Sequence, residues 1–316
     1  MNDRLCYLNG AYKPLSQAQV SVLDRGFLFG DGIYDVAPVY GRKLFRFDEH
    51  MARLNRSLAK IRIANPHTSK QWLERCRKLV AALAESEGAD DQVVYIQVTR
   101  GVAPRDHVMP EGIAPTVFMM SNPMQPPTAE QRHGGVACTT ARDFRWERGD
   151  IKSISLLGNV LARQMPADHG AVETIMFRDG ALGGPWLTEA SASNVWIVKD
   201  GAFLGPPKSE HVLEGIRVDL LHELCEEEGI AYNLKPISEA DVLSADEVIL
   251  SSATKEVLPV TKLDGEPVGH GALRGKPGVL EERIDGLLEA HQIILRAILQ
   301  QQLADAQGIA AVEAAG

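Results

Sequence analysis

A lysine between apolar residues, where a strand runs into a loop, is the first feature of this 316-residue chain that could do covalent chemistry. Lys152 lies in Gly149-Asp150-Ile151-Lys152-Ser153-Ile154-Ser155, just ahead of a helix-forming stretch. A lysine amine that enters an apolar pocket loses solvation and becomes nucleophilic near neutral pH, able to hold an aldehyde as a Schiff base. Taken alone, the segment fits an exposed lysine with a buried stem at least as well. A second segment, Leu187-Thr188-Glu189-Ala190-Ser191-Ala192-Ser193-Asn194-Val195-Trp196, puts an acid and small hydroxylic residues before a strand, a turn that can approach a flat ring closely. A third, Leu213-Glu214-Gly215-Ile216-Arg217-Val218, opens a helix, whose free N–H groups bind anions. Singly, Glu189 could cap a turn and Gly215-Ile216 could simply start a helix.

One ligand would use all three segments. Pyridoxal phosphate needs a lysine for its aldehyde, a carboxylate at its pyridine nitrogen so that the ring acts as an electron sink, and a phosphate cradle. Further motifs follow the same order along the chain: Asp24-Arg25-Gly26 through Phe29-Gly30-Asp31-Gly32-Ile33-Tyr34, Asp48-Glu49-His50-Met51-Ala52-Arg53-Leu54, and Val98-Thr99-Arg100-Gly101-Val102-Ala103-Pro104-Arg105-Asp106-His107. Together with Asp150-Ile151-Lys152-Ser153 and Thr188-Glu189 to Ser193-Asn194-Val195, they resemble the fold-type IV pyridoxal-phosphate aminotransferases, and among them the D-amino-acid transaminases. The resemblance covers about residues 3 to 265.

The resemblance implies that Lys152 is the Schiff-base lysine and proton shuttle, and Glu189 the partner of the pyridine nitrogen. It implies a phosphate-binding arginine in Arg53 beside the Gly215-Ile216 backbone. Ser191, Ser193, Asn194, Arg217, Ala253 and Thr254 complete the implied cofactor site. Tyr34, Tyr95, Arg105 and His107 match substrate-binding positions, with Arg105 and His107 reaching in from the neighbouring subunit of a homodimer. Tyr95 fits a plain strand residue equally. The implied reaction is ping-pong transamination between a D-amino acid such as D-alanine and a 2-oxo acid such as 2-oxoglutarate. Branched-chain L-amino-acid aminotransferases and aminodeoxychorismate lyases share the fold, and Pro104-Arg105-Asp106-His107 favours the D-specific branch. A catalytically silent binding protein on this scaffold would lack the lysine or the glutamate, and both are present.

The sequence departs from the family in three places. Arg217 stands where many members have a threonine. Ala253 stands at a phosphate-touching threonine position, with Thr254 one residue later, and Ala192 interrupts a run of serines. We expect Arg217 to point to solvent, because Arg53 and the helix N–H groups already provide for a phosphate.

The elements that must position these residues are legible in outline. About 150 residues per domain predicts two domains. Apolar residues make up 45% and charged residues 24%, as in a soluble globular protein. A net charge of −9 implies no nucleic-acid partner. No apolar run is long enough to span a bilayer, and Met1-Asn2-Asp3-Arg4 begins no secretory signal. The cysteines Cys6, Cys76, Cys138 and Cys225 are widely spaced, which suits a reducing cytoplasm and offers no metal knuckle. There is no dinucleotide-binding glycine motif, phosphate loop or H-E-x-x-H.

Patterning predicts strands at Val20–Val22, Gly32–Tyr40, Gln92–Arg100 and Thr116–Met120, with a glycine-rich turn over Arg25–Gly32. Asp48 is expected to cap a helix with the stripe Met51, Leu54, Leu58 and Ile61. A second helix presents Trp72, Leu73, Cys76, Leu79, Val80 and Leu83. Antiparallel strands around consecutive helices predict a small α+β N-terminal domain over 1–120. Residues 121–135, rich in proline and polar residues, read as a linker. Residues 136–316 form the larger domain, for which the resemblance implies a β-barrel-like core. Strands are expected near 136–141, 172–178, 194–199 and 246–251, and helices near 155–168, 214–228 and 277–303. The alanine-rich last 15 residues are expected to be disordered.

Overall fold

Along Gln92–Thr99 every second side chain is buried, Gln92, Val94, Ile96 and Val98 turning to one face, as a half-covered antiparallel strand requires. The computed structural model describes residues 3–180, 184–280 and 282–286. Strands β1 (Leu5–Leu8), β2 (Ala11–Pro14), β3 (Gly32–Tyr40), β4 (Lys43–Leu44), β5 (Gln92–Thr99) and β6 (Thr116–Pro123) form a six-stranded sheet. Their order is β2-β1-β6-β5-β3-β4. Helices α2 (Phe47–Lys60) and α3 (Ser69–Glu87) cover one face. Met51, Leu54 and Leu58 of α2 and Trp72, Cys76, Leu79 and Val80 of α3 meet Val94, Ile96 and Val98 there, with Leu83 buried further along α3. Leu73 is half-buried and Ile61 closes α2 as its C-cap.

Three local expectations fail in this half. Val20–Val22 is an exposed loop, because nothing lies beside it to pair with an edge only three residues long. The glycine-rich stretch holds a short helix, α1 (Arg25–Phe29), capped by Asp24 accepting from Gly26 N and ended by left-handed Gly30. Asp48 does not cap α2. The helix starts a residue earlier behind Arg46, which sits at positive φ, and Asp48 lies in the first turn, where its charge still suits the helix N-terminus.

The second sheet has nine strands in the order β12-β11-β10-β13-β14-β7-β8-β9, with β15 on β14. They are β7 (Val136–Arg142), β8 (Glu173–Gly180), β9 (Gly184–Ala190), β10 (Asn194–Lys199), β11 (Ala202–Gly205), β12 (Ala231–Leu234), β13 (Glu247–Ser252), β14 (Glu256–Leu263) and β15 (Glu266–Pro267). Five inter-strand steps separate β9 from β10, about 24 Å in a flat sheet. Yet only Ser191–Ser193 connect them, about 14 Å at full extension. The sheet therefore curls like a barrel, and Ala190 N donates to Ser193 O at 2.8 Å across the closing turn.

Helices α5 (Leu157–Ala167), α6 (Arg217–Glu227) and α7 (Glu239–Leu243) flank this sheet. The stretch expected as linker instead holds the end of β6 and the helix α4 (Ala129–Gly134), whose Thr128 and Gln131 form a capping box. Of the helix expected over 277–303, residues 279–280 and 282–286 are helical. Residues 277–278 precede the helix, and residues 281 and 287–303 and the C-terminal 15 residues lie outside the described residues.

One buried ion group ties α2 to the first sheet. Asp35 of β3 accepts from Arg53 Nε and Nη2 at 2.9 and 2.8 Å, and its Oδ1 lies 2.6 Å from His50 Nδ1. Burial alone would raise the Asp35 carboxyl, but the charges of Arg53 and His50 hold it well below the usual carboxylate range. A depressed folded pKa adds stability above the unfolded value, about 3.9, which is lost as pH falls below it. Asp35→Asn should therefore cost about 3–5 kcal/mol at neutral pH, because Arg53 stays buried without a counter-charge. It should also flatten the loss of stability below about pH 4, as urea titrations across pH will show.

Candidate active site

The Lys152 segment is held against the first sheet by main-chain pairing. Tyr34 N donates to Lys152 O at 2.9 Å, Ile154 N to Gly32 O at 3.1 Å, and Ile33 bridges Ser153. This pairing fixes the lysine backbone relative to β3. The Lys152 amine then reaches Tyr34 Oη at 3.3 Å, at one wall of a cavity of about 250 Å³.

Glu189, the penultimate residue of β9, enters the same cavity from the closed sheet. Its carboxylate accepts from Arg145 Nη1 at 2.6 Å and from Leu213 N at 2.9 Å. Burial raises its pKa, and Arg145 and the Leu213 N–H oppose the rise. Arg145 also bonds Asp143 through Nε and Nη2 at 2.9 and 2.8 Å. Burial would raise Asp143, but Arg145 and Arg178 outweigh it and bring the carboxyl down to about 2. Sequence reasoning misses Arg145. The available signal is Asp143-Phe144-Arg145 just after β7, since a buried Glu189 requires a counter-charge.

Arg53 lines the cavity with its fork locked on Asp35, and its Nη1 donates to Glu214 O at 3.3 Å. Gly215 and Ile216 follow, immediately before α6. A Cβ at Gly215 would lie 2.0 Å from Oδ1 of Asn194, so a larger residue would displace that side chain, whose Nδ2 donates to Leu213 O at 2.9 Å. Ser193, Arg217, Ser252, Ala253 and Thr254 also line the cavity.

Other expected residues lie elsewhere or act differently. The hydroxyls of Ser191 and Ser193 turn to the buried Glu173, Ser193 at 3.0 Å, and Glu173 also pairs with Lys255. Ser191 is absent from the cavity lining. Tyr95 stacks on Tyr34 at 5.8 Å between ring centres, and its hydroxyl donates to Gln97 at 2.7 Å. Burial pushes that phenol up to about 12. Arg105 and His107 are exposed and rest on Phe29, outside the cavity of their own chain. Arg217 does not point to solvent. It is buried, with Nε donating to Ser252 O at 2.8 Å and Nη2 to Tyr40 Oη at 2.9 Å and Ala253 O at 3.3 Å. Nearby acceptors compensate its desolvation, so burial beats the exposure that charge alone suggests.

The donor set fits a phosphorylated pyridine aldehyde. One cavity holds an amine, a buried carboxylate and an arginine beside a helix start, the three groups such a molecule needs. Among the described residues no cluster of histidine, cysteine or acidic side chains could hold a metal ion, and no helix is long and apolar enough to cross a membrane.

Comparison with known proteins agrees with this arrangement. The family described as amino-transferase class IV matches residues 32–263. The chain is 38% identical over 281 residues to the D-alanine aminotransferase of Bacillus licheniformis, covering 89% of this chain and 94% of that protein. It is also 38% identical over 288 residues to the D-alanine aminotransferase of Staphylococcus aureus strain MSSA476, covering 91% and 99%. Among solved structures, the branched-chain amino acid aminotransferase of Escherichia coli is similar with a TM-score of 0.77, at 23% identity over 90% of this chain and 92% of that one. The branched-chain aminotransferase of the thermophilic archaeon Thermoproteus uzoniensis, solved with norvaline, gives a TM-score of 0.76, at 22% identity over 94% of each chain. At those identities the structural neighbours speak for the fold, and the curated relatives and the family match together establish that this chain belongs to the class IV aminotransferases.

Proposed function

We propose that the chain is a pyridoxal-phosphate-dependent D-amino-acid aminotransferase, transferring the amino group of a D-amino acid such as D-alanine to a 2-oxo acid such as 2-oxoglutarate. The convergence of Lys152, Glu189 and Arg53 on one cavity carries the reading, and the two curated relatives named D-alanine aminotransferase support the D-specific branch.

When bound, pyridoxal phosphate supplies an aldehyde for the amino group and a ring that withdraws electrons. Lys152 Nζ would take the proton from the substrate Cα and pass one to the carbon that began as the aldehyde, with the Tyr34 hydroxyl 3.3 Å away to orient the amine. Glu189 pairs with the protonated ring nitrogen. Arg145 offsets part of what burial costs the ionised carboxylate. Arg53, oriented by Asp35, and the backbone at Gly215-Ile216 hold the phosphate. Lys255 is engaged with Glu173, which leaves Lys152 as the cavity amine.

We read residues 1–120 and 136–316 as two domains with the cavity between their sheets, and place the protein in the cytoplasm, where its four free, buried cysteines stay reduced. The working unit is a homodimer. The arginines lining the cavity, Arg53 and Arg217, are held by Asp35 and by the Ser252 and Ala253 carbonyls, while the loop holding Arg105 and His107 exposes Val102, Val108 and Met109, and α5 exposes Leu157, Val160 and Leu161. Apolar surface of this extent marks an interface. Arg105 and His107 then belong to the pocket of the partner copy.

Handedness follows from where that charge sits. A substrate held by its nitrogen, with its Cα hydrogen facing Lys152, has two places left for carboxylate and side chain, and exchanging them exchanges D for L. A carboxylate in a water-poor pocket goes to the bidentate arginine.

Three measurements test this reading. Lys152→Ala should lose the visible absorption band of bound cofactor and all but a few per cent of transamination; an active variant would move the amine's role to another lysine. Light scattering should find a dimer, and a fully active monomer would remove the shared pocket. Arg105→Leu should lose about 2–4 kcal/mol of transition-state binding for D-alanine and narrow the D over L preference, with the cofactor band intact. A variant that keeps both rate and preference would favour a branched-chain L-amino-acid activity.

A further inference from the structure

The turn between β13 and β14, Ser252 to Glu256, forms one wall of the cavity, and its supports come from distant parts of the chain. Ser252, Ala253 and Thr254 line that wall beside Gly215, Ile216, Arg217 and Arg53. The turn is bound at both ends. At its start Arg217 donates to Ser252 O and Ala253 O at 2.8 and 3.3 Å. At its end Glu256, at φ 59, accepts from Tyr40 Oη at 2.7 Å and pairs with Arg132. Tyr40 Oη in turn accepts from Arg217 Nη2 at 2.9 Å, which closes the circuit. Arg217, Tyr40 and Glu256 are all buried, so little solvent screens these contacts.

Two consecutive carbonyl oxygens at the wall of an anion site would repel the anion. Here both are matched to a guanidinium. The planar fork suits two carbonyls and a phenol at fixed angles, which a lysine ammonium cannot do. We infer that Arg217 is a positioning residue for a phosphate monoester: although it borders the same cavity, its Nε and Nη2 are held by the Ser252 and Ala253 carbonyls and the Tyr40 hydroxyl, so it sets the Ser252–Thr254 turn, at a position where the family resemblance implies a threonine. The arginine acts on the phosphate through the turn. The inference rests on the reading that the cavity takes pyridoxal phosphate.

The test uses the full-length protein stripped of cofactor, titrated separately with pyridoxal phosphate and with pyridoxal, which lacks the phosphate, and followed by intrinsic fluorescence. Arg217→Thr and Arg217→Lys should each loosen pyridoxal phosphate about tenfold or more while moving pyridoxal by less than about threefold, because both variants lose the fork that orders the turn. Tyr40→Phe removes one hydroxyl and should loosen pyridoxal phosphate in the same selective way, and it decides the matter should the Arg217 variants fail to fold. An Arg217→Lys protein with unchanged affinity would overturn the inference in favour of charge alone. Equal loosening for both ligands would overturn it in favour of a general structural role. A parent protein that binds neither ligand would instead sink the reading of the cavity itself.

Discussion

Between Ala190 and Asn194 the chain has too little length to cross a flat sheet, and the site hangs on that shortage. Because β9 lies at one end of the sheet order and β10 near the other, joining them through Ser191–Ser193 forces the sheet to close. Closure brings Glu189 and Asn194 to the same rim. It also explains Glu173, which sits beneath the turn and accepts from Ser191, Ala192 N and Ser193. A turn of small residues with its polar groups satisfied from below can stay tight, and Ala192, which breaks the serine run, contributes through its backbone N–H. The side chain there is not part of the support.

The second recurring device is the pairing of buried charges around the cavity with opposite ones, except at Arg217, whose guanidinium is met by two carbonyls and the Tyr40 hydroxyl. Asp35 holds Arg53, Arg145 holds Glu189, and Lys255 meets Glu173. An isolated charge at such depth would cost several kcal/mol and would neutralise itself or pull the site open. Pairing offsets that cost and fixes each group's direction, so the geometry exists before any ligand arrives. That is preorganisation in the sense that matters for transition-state electrostatics.

Much of this is legible in the sequence, unevenly. Lys152, Glu189, Arg53 and Gly215 are singled out by the ordered motifs that carry the family resemblance, since each segment alone fits a plain structural role. The stripes of α2 and α3 are legible because burial repeats every three to four residues. What cannot be read are long-range partners. Arg145 lies 44 residues from Glu189, and Tyr40 lies 177 residues from Arg217, so no window along the chain shows either pair. The expectation for Arg217 fails for that reason: a cation at a helix start reads as solvated unless the acceptors that bury it are visible. Val20–Val22 fails in the opposite way, since strand-forming residues make no strand without a neighbour to pair with.

The same long-range pairs decide how the two sheets cooperate. Lys152 follows β7 of the second sheet in sequence, yet its carbonyl accepts from Tyr34 N and its neighbours bridge β3, so its amine moves with the first sheet. Glu189 moves with the second. The distance between them is therefore set by whatever locks one sheet to the other. Among the locks between the sheets are Arg53 on Glu214 O, Arg46 on Glu223, and Arg217 on Tyr40. Two of them, Arg53 and Arg217, join at the segment around Gly215 and the start of α6. A shift of one sheet would carry Arg53 away from Gly215 as surely as it would part Lys152 from Glu189. Holding phosphate and holding catalytic geometry are thus one mechanical requirement, met by the same few arginines.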